Sequence, residues 1–326
     1  MSQGGWGNAS PEHNFLRRPH GVDFRSQKST MGNDGSLIDP QFIMTTRREF
    51  LALTAGSLFL ADAAMLFGAE AKPSWKVGIF DPTIQAAGRL SSFPIAKELG
   101  FEGVQVSYHP NGPDSLAVKE NRPKFLAAAK ETGLEIASLA LGILNNSPLA
   151  TTPEADGWVE DCLDAMVEMN VDQVLLAFFV KADLTQNQDH LPLVIEKLKR
   201  LAPIAEKKKK ILAVESYLSA EENLKLLDAV GSDAIKVYYD VANSTDKGYD
   251  IFHEIKLLGS RKLISQFHFK ENRVRLGDGD IDFPKICETL KSIDYKGWFI
   301  VEAAVSGDLM ESQAANAQYV KNLIGR

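Results

Sequence analysis

Short apolar runs alternate with longer amphipathic segments from Trp75 to the C-terminus. The short runs are β-prone and predict strands, whereas the longer segments have apolar positions at helical spacing and predict helices. The predicted strands cover residues 75–80, 101–107, 134–141, 171–179, 211–215, 235–240, 263–269 and 297–302. The predicted helices cover residues 90–99, 115–132, 153–169, 191–208, 219–230, 250–258, 283–293 and 308–324.

This alternation predicts the fold class. A strand that returns to the same sheet through a helix runs parallel to its predecessor, and eight such units can close a (β/α)8 barrel, the TIM-barrel form of the α/β class, as a single domain. An open doubly wound sheet is the competing architecture, and it usually carries a glycine-rich phosphate-binding turn after its first strand. Here the first strand leads into Asp81-Pro-Thr-Ile84. The barrel is therefore favoured.

The chain ahead of the predicted barrel has a different composition. Residues 1–43 are rich in Gly, Ser, Asn, Arg and Pro without periodicity, which predicts a disordered tail. Residues 44–71 place Arg47 and Arg48 before a modestly apolar stretch and an Ala-x-Ala site. This segment resembles a twin-arginine export signal.

The predicted signal implies where translation starts and which part of the chain is exported, and it has one alternative. Such signals usually begin a few residues before the arginines, so Met44 is a candidate start and residues 1–43 a mis-started tail. Cleavage after Ala71 would leave residues 72–326 as the barrel, exported to the periplasm by the twin-arginine (Tat) machinery. A membrane-anchoring helix is the alternative, but Asp62 and the weak hydropathy of the stretch argue against a stable span in the mature form.

Composition and charge limit the classes of molecule that the protein is expected to bind. The chain has 326 residues, 44% of them hydrophobic, and a formal net charge of −7, which suits a soluble globular protein. This mild acidity argues against nucleic acid, because nucleic-acid-binding proteins normally present a basic surface. The two cysteines, Cys162 and Cys287, lie in predicted helices and are expected to be buried apolar residues, although a single disulfide between them stays an alternative.

Metal-binding side chains end four successive predicted strands: Glu215, Asp240, His268 and Glu302. The spacings of 25, 28 and 34 residues each correspond to about one strand–helix unit. Because the carboxyl ends of all strands meet on one face of a parallel barrel, these four side chains are predicted to converge there. A coincidence of helix-capping carboxylates is the alternative, and four in succession make it the weaker one.

Three carboxylates and one imidazole favour Mn²⁺ or Mg²⁺, with Co²⁺ and Zn²⁺ also feasible. Such an ion can polarise a substrate carbonyl and the neighbouring hydroxyl, which acidifies the C–H bond between them. Glu215 and Glu302 are then the candidate catalytic base and acid.

At these positions the chain resembles the xylose isomerase-like TIM-barrel superfamily, in particular its sugar phosphate isomerase/epimerase group, which includes D-tagatose 3-epimerase and inosose-handling enzymes. The resemblance rests on Val214-Glu-Ser216, Tyr239-Asp-Val-Ala-Asn243, His268-Phe-Lys-Glu271, Leu276-Gly-Asp-Gly279 and Gly297-Trp-Phe-Ile-Val-Glu302. It implies that Glu215, Asp240, His268 and Glu302 bind the metal. It also implies proton transfer by the two glutamates through a cis-enediolate on a small sugar, and it is compatible with a homo-oligomer.

The chain departs from the epimerases of that group at several positions. Asn243 stands where a substrate-binding histidine is usual, and Glu271 where an aspartate is usual. Arg273 and Arg275 are candidates for the arginine that follows the metal histidine. These departures leave the substrate open.

Further predictions concern substrate contacts. His109 follows the second strand and is predicted either to contact substrate or to lie on a loop surface. Lys270 is predicted to bind a substrate hydroxyl or carboxylate, or to pair with Glu271. Gly277 and Gly279 are predicted to form a turn rather than a phosphate cradle.

Four functions are compatible with this pattern. The favoured one is a metal-dependent sugar isomerase or epimerase, and export places it among unphosphorylated sugars. A dehydratase, lyase or hydrolase of inosose or keto-sugar type could use the same metal site. An endonuclease of the same superfamily is disfavoured, because the chain is acidic and two of its six histidines lie in the N-terminal tail. A non-catalytic sugar-binding barrel is the fourth.

Overall fold

The structure is a computed structural model and describes residues 74–326. The tail predicted for residues 1–43 and the signal predicted for residues 44–71 lie outside the described residues. Among the helices that are described, none is both long and apolar enough to cross a membrane. Cys162 and Cys287 are buried and form no disulfide.

Eight parallel strands close into one barrel in chain order, as the alternating pattern predicts. The strands are β1 (Lys76–Phe80), β2 (Gly103–Ser107), β3 (Glu135–Leu141), β4 (Gln173–Phe178), β5 (Ile211–Ser216), β6 (Ile235–Asp240), β7 (Ile264–Phe269) and β8 (Trp298–Val301). Pairing of β1 with β8, with Val77 opposite Phe299, closes the barrel. The predicted (β/α)8 fold is confirmed.

Helices surround the barrel between the strands. They are α1 (Ser92–Glu98), α2 (Arg122–Thr132), α3 (Ala155–Met169), α4 (His190–Lys208), α5 (Ala220–Val230), α6 (Val241–Asp246), α7 (Ile251–Ser260), α8 (Phe283–Ser292) and α9 (Leu309–Leu323). The short helix α6, directly after β6, is not in the predicted set. Helix α2 begins at Arg122, later than predicted, because Pro123 fits the first turn of a helix but not its interior.

The barrel has an outer and an inner core. Large side chains such as Phe93, Phe125 and Phe283 belong to the continuous outer cluster. A separate small cluster includes Ala177, Ala213 and other strand residues, together with Tyr238 and Ile300. Because residues two apart on a strand share a face, Ala213 lies on the same face of β5 as Glu215.

Trp298 packs beside two glycines of neighbouring strands. A Cβ atom on Gly103 would come within 2.5 Å of the Trp298 ring, and one on Gly78 within 2.7 Å of Ile300 Cδ1. A Cβ on Gly103 would also come within 2.8 Å of the Glu135 carbonyl oxygen, so this position requires glycine, whereas a Cβ on Gly78 would have to displace the end of the Ile300 side chain. The glycines therefore make room for Trp298 and Ile300 of β8, which stand at alternate positions before Glu302.

Candidate functional site

The four predicted ligands converge at the carboxyl ends of β5 to β8. One ligand atom from each of Glu215, Asp240, His268 and Glu302 lies within 4.8 Å of the others. Glu215, Asp240 and His268 are at most 4% exposed. Glu302 is partly exposed, and its carboxylate beside two buried ones is unfavourable unless positive charge compensates them.

Asp240 shows how the fold aims a ligand. Its Oδ1 atom caps helix α6 by accepting hydrogen bonds from the backbone amides of Ala242 at 2.8 Å and Asn243 at 2.9 Å. These two bonds fix the carboxylate plane, since aspartate is a strong N-cap residue. Its Oδ2 atom is buried and accepts no hydrogen bond. The unpredicted helix α6 thus leaves one carboxylate oxygen of Asp240 available for a ligand.

His268 is fully buried and has a different partner on each ring nitrogen. Nδ1 lies 2.7 Å from Glu215 Oε1 and 3.1 Å from Glu302 Oε2. Nε2 lies 2.8 Å from Gln105 Oε1. The ring of Phe80 stacks on the imidazole with centroids 5.4 Å apart. The Nδ1 atom therefore faces the carboxylates.

Lys270 brings a positive charge into the site. Its Nζ atom lies 3.1 Å from Glu302 Oε2 and 3.4 Å from Asp240 Oδ2. The predicted alternative, pairing with Glu271, does not occur, because Lys270 continues the inward face of β7 two residues after His268. Lys270 is therefore part of the charged cluster.

Charge and burial act in opposite directions on these groups. Burial raises the pKa of Asp240, although the nearby Lys270 ammonium opposes the rise. Burial would lower the pKa of His268, but Glu215 and Glu302 outweigh it and raise the pKa to about 10. Burial likewise opposes ionisation of Glu302, but His268 and Lys270 outweigh it and lower the pKa of that carboxyl. The site without an ion thus holds its positive charge on His268 and Lys270.

The residues present fit a divalent ion. Ligand atoms about 2.0–2.2 Å from one ion lie at most about 4.4 Å apart, so the four atoms need only small movements to share an ion. The buried Oδ2 atom of Asp240 accepts no hydrogen bond and has the Lys270 ammonium 3.4 Å away, so this oxygen can serve as a ligand. Three oxygen ligands and one nitrogen ligand match the preferences of Mn²⁺ and Mg²⁺ and admit Co²⁺ and Zn²⁺.

A cavity of about 140 Å³ opens beside the cluster. Glu215 and Glu302 both line it, together with Asn243 and Lys270. Residues that the sequence analysis did not single out also line it: Phe80, Gly142, Asn145, Leu175, Ala177, Phe179 and Tyr217. Several of these sit at or just beyond strand ends, which is the signal that could have identified them.

Two aromatic side chains of the cavity lining, Phe179 and Tyr217, form an aromatic wall that neighbouring residues hold in place. Phe179 and Tyr217 pack edge to face with ring centroids 4.7 Å apart. The Phe179 amide donates to Asn145 Oδ1 at 2.9 Å, which ties the end of β4 to the turn after β3. The cavity thus combines apolar side chains with a few charged groups, as small-molecule sites commonly do.

Two predicted substrate residues lie away from this wall. His109 packs against Gly88, where an added Cβ would meet its ring at 2.6 Å, and burial lowers its pKa. Arg273 is exposed on the loop after β7. Neither residue lines the cavity in this structure. Their substrate contacts stay predictions.

Glu271 supports the loop after β7. It is 4% exposed and accepts hydrogen bonds from the amides of Gly279 at 3.1 Å and Ile281 at 3.2 Å. A Cβ on Gly279 would come within 2.4 Å of Glu271 Oε1. Gly277 has a left-handed φ of 84°. The two glycines therefore form a turn around a buried carboxylate, in line with the turn predicted for them.

The sequence matches the xylose isomerase-like TIM barrel family over residues 93–323, which is more than half of the chain. The chain belongs to this family. No curated protein matches it in sequence.

Solved structures share the fold. One is a D-psicose 3-epimerase in the presence of D-fructose (17% identity, 77% of this chain, all of that chain, TM-score 0.65). Another is 3-keto-D-glucoside 4-epimerase YcjR from E. coli, with 16% identity and a TM-score of 0.62 over 76% of this chain and 99% of that chain. A third is a xylose isomerase domain protein from Planctomyces limnophilus, with 17% identity and a TM-score of 0.63 over 78% of this chain and 98% of that chain. At such low identity these likenesses establish the barrel, and the chemistry has to be argued from the site.

Proposed function

We propose that the protein is a divalent-metal-dependent sugar isomerase or epimerase that transfers a proton through a cis-enediolate. The observation that carries the proposal is the cluster of Glu215, Asp240, His268 and Glu302, three of them buried and Glu302 partly exposed, beside a cavity that both glutamates line. The names of the similar structures, D-psicose 3-epimerase and 3-keto-D-glucoside 4-epimerase, support this reaction class.

The four residues would hold the ion, with Mn²⁺ favoured and Mg²⁺, Co²⁺ or Zn²⁺ also compatible. When bound, the ion acts as a Lewis acid that acidifies the C–H bond between a carbonyl and a hydroxyl group.

Glu215 and Glu302 are the proposed base and acid. They come from β5 and from the end of β8, the first and last of the four ligand strands, and both reach the cavity. One glutamate removes the proton from the substrate carbon, and the other returns a proton to the enediolate. The Lys270 ammonium lies 3.1 Å from Glu302 Oε2 and favours the ionised form of this carboxyl, which a base requires.

The cavity favours an unphosphorylated sugar or keto-sugar. Among the described residues that line it, Lys270 is the one with a cationic side chain, and it already pairs with Glu302 and Asp240. A phosphate group carries close to two negative charges at neutral pH and would need further cationic donors. Export to the periplasm through the twin-arginine route, proposed from residues 44–71, agrees with a free sugar.

Lys270 and Asn243 are the proposed substrate-binding residues within the cavity. The Lys270 ammonium can donate to a substrate hydroxyl or to the developing enediolate oxygen, and the Asn243 amide can donate or accept. Asn243 cannot titrate in the physiological range, so its role would be to orient the sugar.

Solvent exchange tests the proposal. The Mn²⁺-loaded protein is incubated in D₂O with free ketoses, 3-keto-sugars and inososes, and followed by NMR. We expect deuterium at the carbon next to the carbonyl, together with an isomeric sugar and no loss of water. Loss of a β-hydroxyl as water would instead indicate the dehydratase alternative. Bound Mn²⁺ without exchange on any of these sugars would contradict both.

The matched variant is Glu302→Gln, which keeps the shape of the side chain and removes its basicity. We expect the exchange rate to fall by about 10²- to 10⁴-fold, the usual contribution of general acid–base catalysis. Because Glu302 is also a proposed ligand, bound Mn²⁺ is measured in the same sample. Unchanged exchange in a metal-loaded variant would remove Glu302 from the proton transfer.

A further inference from the structure

A chain of buried polar side chains crosses the barrel beneath the metal cluster. It consists of Gln105 on β2, Ser138 on β3 and Gln266 on β7, each fully buried. Gln105 lies opposite Ser138 in the β2–β3 pairing. Because the interior of a barrel is normally filled by apolar side chains, a polar layer here needs a reason.

Each hydrogen bond in this chain has a fixed direction. The backbone carbonyl of Ala137 can only accept, so the amide nitrogen of Gln266, 3.3 Å away, donates to it. Gln266 Oε1 is then the acceptor for the Ser138 hydroxyl at 2.6 Å. The hydroxyl proton is thereby used, so Ser138 Oγ accepts from Gln105 Nε2 at 3.0 Å. Gln105 Nε2 also lies 3.0 Å from the Tyr238 hydroxyl.

The chain ends at the metal cluster. With both hydrogens of its amide nitrogen engaged, Gln105 presents Oε1 to His268 Nε2 at 2.8 Å. An amide oxygen only accepts, so His268 Nε2 must carry a hydrogen. In the neutral imidazole the lone pair is then on Nδ1, the nitrogen that faces Glu215 and Glu302.

We propose that Gln105 is a positioning residue that sets the tautomer and ring orientation of His268, so that Nδ1 is its metal ligand. Ser138 and Gln266 hold the Gln105 amide in the required orientation, anchored on the Ala137 carbonyl. This inference rests on the metal site of the proposed function. It concerns residues that touch neither ion nor substrate.

The test compares two variants of the full-length protein. Gln105→Met keeps the length of the side chain and removes the acceptor, whereas Gln105→Glu keeps an acceptor oxygen at the same place. Mn²⁺ affinity is measured from the EPR signal of the free ion. We expect Gln105→Met to weaken binding by about 10- to 100-fold, the usual effect of losing a partner of a metal-binding histidine, and Gln105→Glu to retain much of the affinity. Thermal unfolding checks that both variants fold.

A second readout reports the tautomer directly. Long-range ¹H–¹⁵N NMR of the Mg²⁺-loaded protein is expected to show a slowly exchanging proton on His268 Nε2 in the unmodified chain, with faster exchange in Gln105→Met. An Nε2 without a proton, or equal loss of Mn²⁺ affinity in both variants, would overturn the inference. If the protein binds Mn²⁺ as expected but exchanges no sugar proton, that result would contradict the proposed function without contradicting this inference.

Discussion

Asp81 after β1 and Asp240 at the end of β6 are buried to similar degrees, 0% and 4% exposed, but their surroundings differ. Asp81 Oδ2 accepts from the amides of Gly88 at 2.7 Å and Ser107 at 2.9 Å, and Oδ1 accepts from the Ser107 hydroxyl at 2.6 Å. Asp240 has two amide donors on Oδ1 and none on Oδ2.

The difference separates a structural carboxylate from a candidate ligand. Burial raises the pKa of both side chains, that of Asp81 to about 7, so both are costly to ionise. In Asp81 both oxygens are satisfied, and the side chain ties the turn after β1 to the end of β2. In Asp240 the Oδ2 atom accepts no hydrogen bond and lies among the other ligand carboxylates, with the Lys270 ammonium 3.4 Å away, so positive charge is favoured beside it.

The largest expected effect is that of Asp240→Asn. The amide oxygen can still cap α6, so the barrel should fold, but the free ligand oxygen is replaced or neutralised. We expect Mn²⁺ affinity to fall by more than about 100-fold, beyond the loss typical of an outer partner, and turnover to be lost with it. Isothermal titration calorimetry and the deuterium-exchange assay measure the two effects. Undiminished Mn²⁺ binding would show that Asp240 is not a ligand.

Asp81→Asn should instead change how stability depends on pH. The folded-state pKa of about 7 exceeds the ordinary value of 3.8, so the contribution of Asp81 is fully present below about pH 4 and is lost as pH rises to about 7. The asparagine side chain does not titrate, so the variant lacks this pH-dependent loss of stability. Between about pH 5 and pH 8, the unfolding free energy of the variant should gain up to about 3 kcal/mol relative to the unmodified protein.

Urea unfolding at several pH values measures this difference. The metal-free protein is used throughout, so that ion binding does not contribute. A constant difference between the two proteins across the pH range would show that Asp81 titrates at its ordinary pKa.

Ion binding should stabilise the barrel through Asp240 but not through Asp81. At an Mn²⁺ concentration of about 100 times Kd, linkage predicts about 2.7 kcal/mol of added stability. We expect Asp81→Asn to retain this gain and Asp240→Asn to lose it, as measured by thermal unfolding with and without Mn²⁺. An equal gain in both variants would point to an ion bound elsewhere.

The smallest effect on the metal site is expected of Ser107→Ala, which makes Asp81 more like Asp240. Loss of the hydroxyl donor leaves Asp81 Oδ1 without a side-chain partner, and we expect about 1–3 kcal/mol of destabilisation at neutral pH. Because the metal ligands are untouched, Mn²⁺ affinity should not change. Denaturant unfolding checks the first expectation and calorimetry the second. A drop in Mn²⁺ affinity would show that the two regions are coupled.

Much of the fold could be predicted because strand and helix periodicities are local properties of the chain. The capping box at Ser219 is likewise a local pattern, and it is present, with the Ser219 side chain bonded to the Glu222 amide and the Glu222 side chain to the Ser219 amide. The sequence did not predict helix α6, because six residues directly after a strand are too few to show a helical spacing of apolar positions. Its N-cap is Asp240 itself.

The strand-end positions of Glu215, Asp240, His268 and Glu302 could be found from sequence alone, because a parallel barrel brings all strand ends to one face whatever the side chains are. Which oxygen of Asp240 is free, which nitrogen of His268 faces the carboxylates, and that Lys270 pairs with Glu302 rather than Glu271 were decided by the tertiary structure. These features depend on partners up to 163 residues away in the chain, such as Gln105 for His268. Hydrogen-bond direction is a property of the assembled neighbours, and no stretch of sequence contains it.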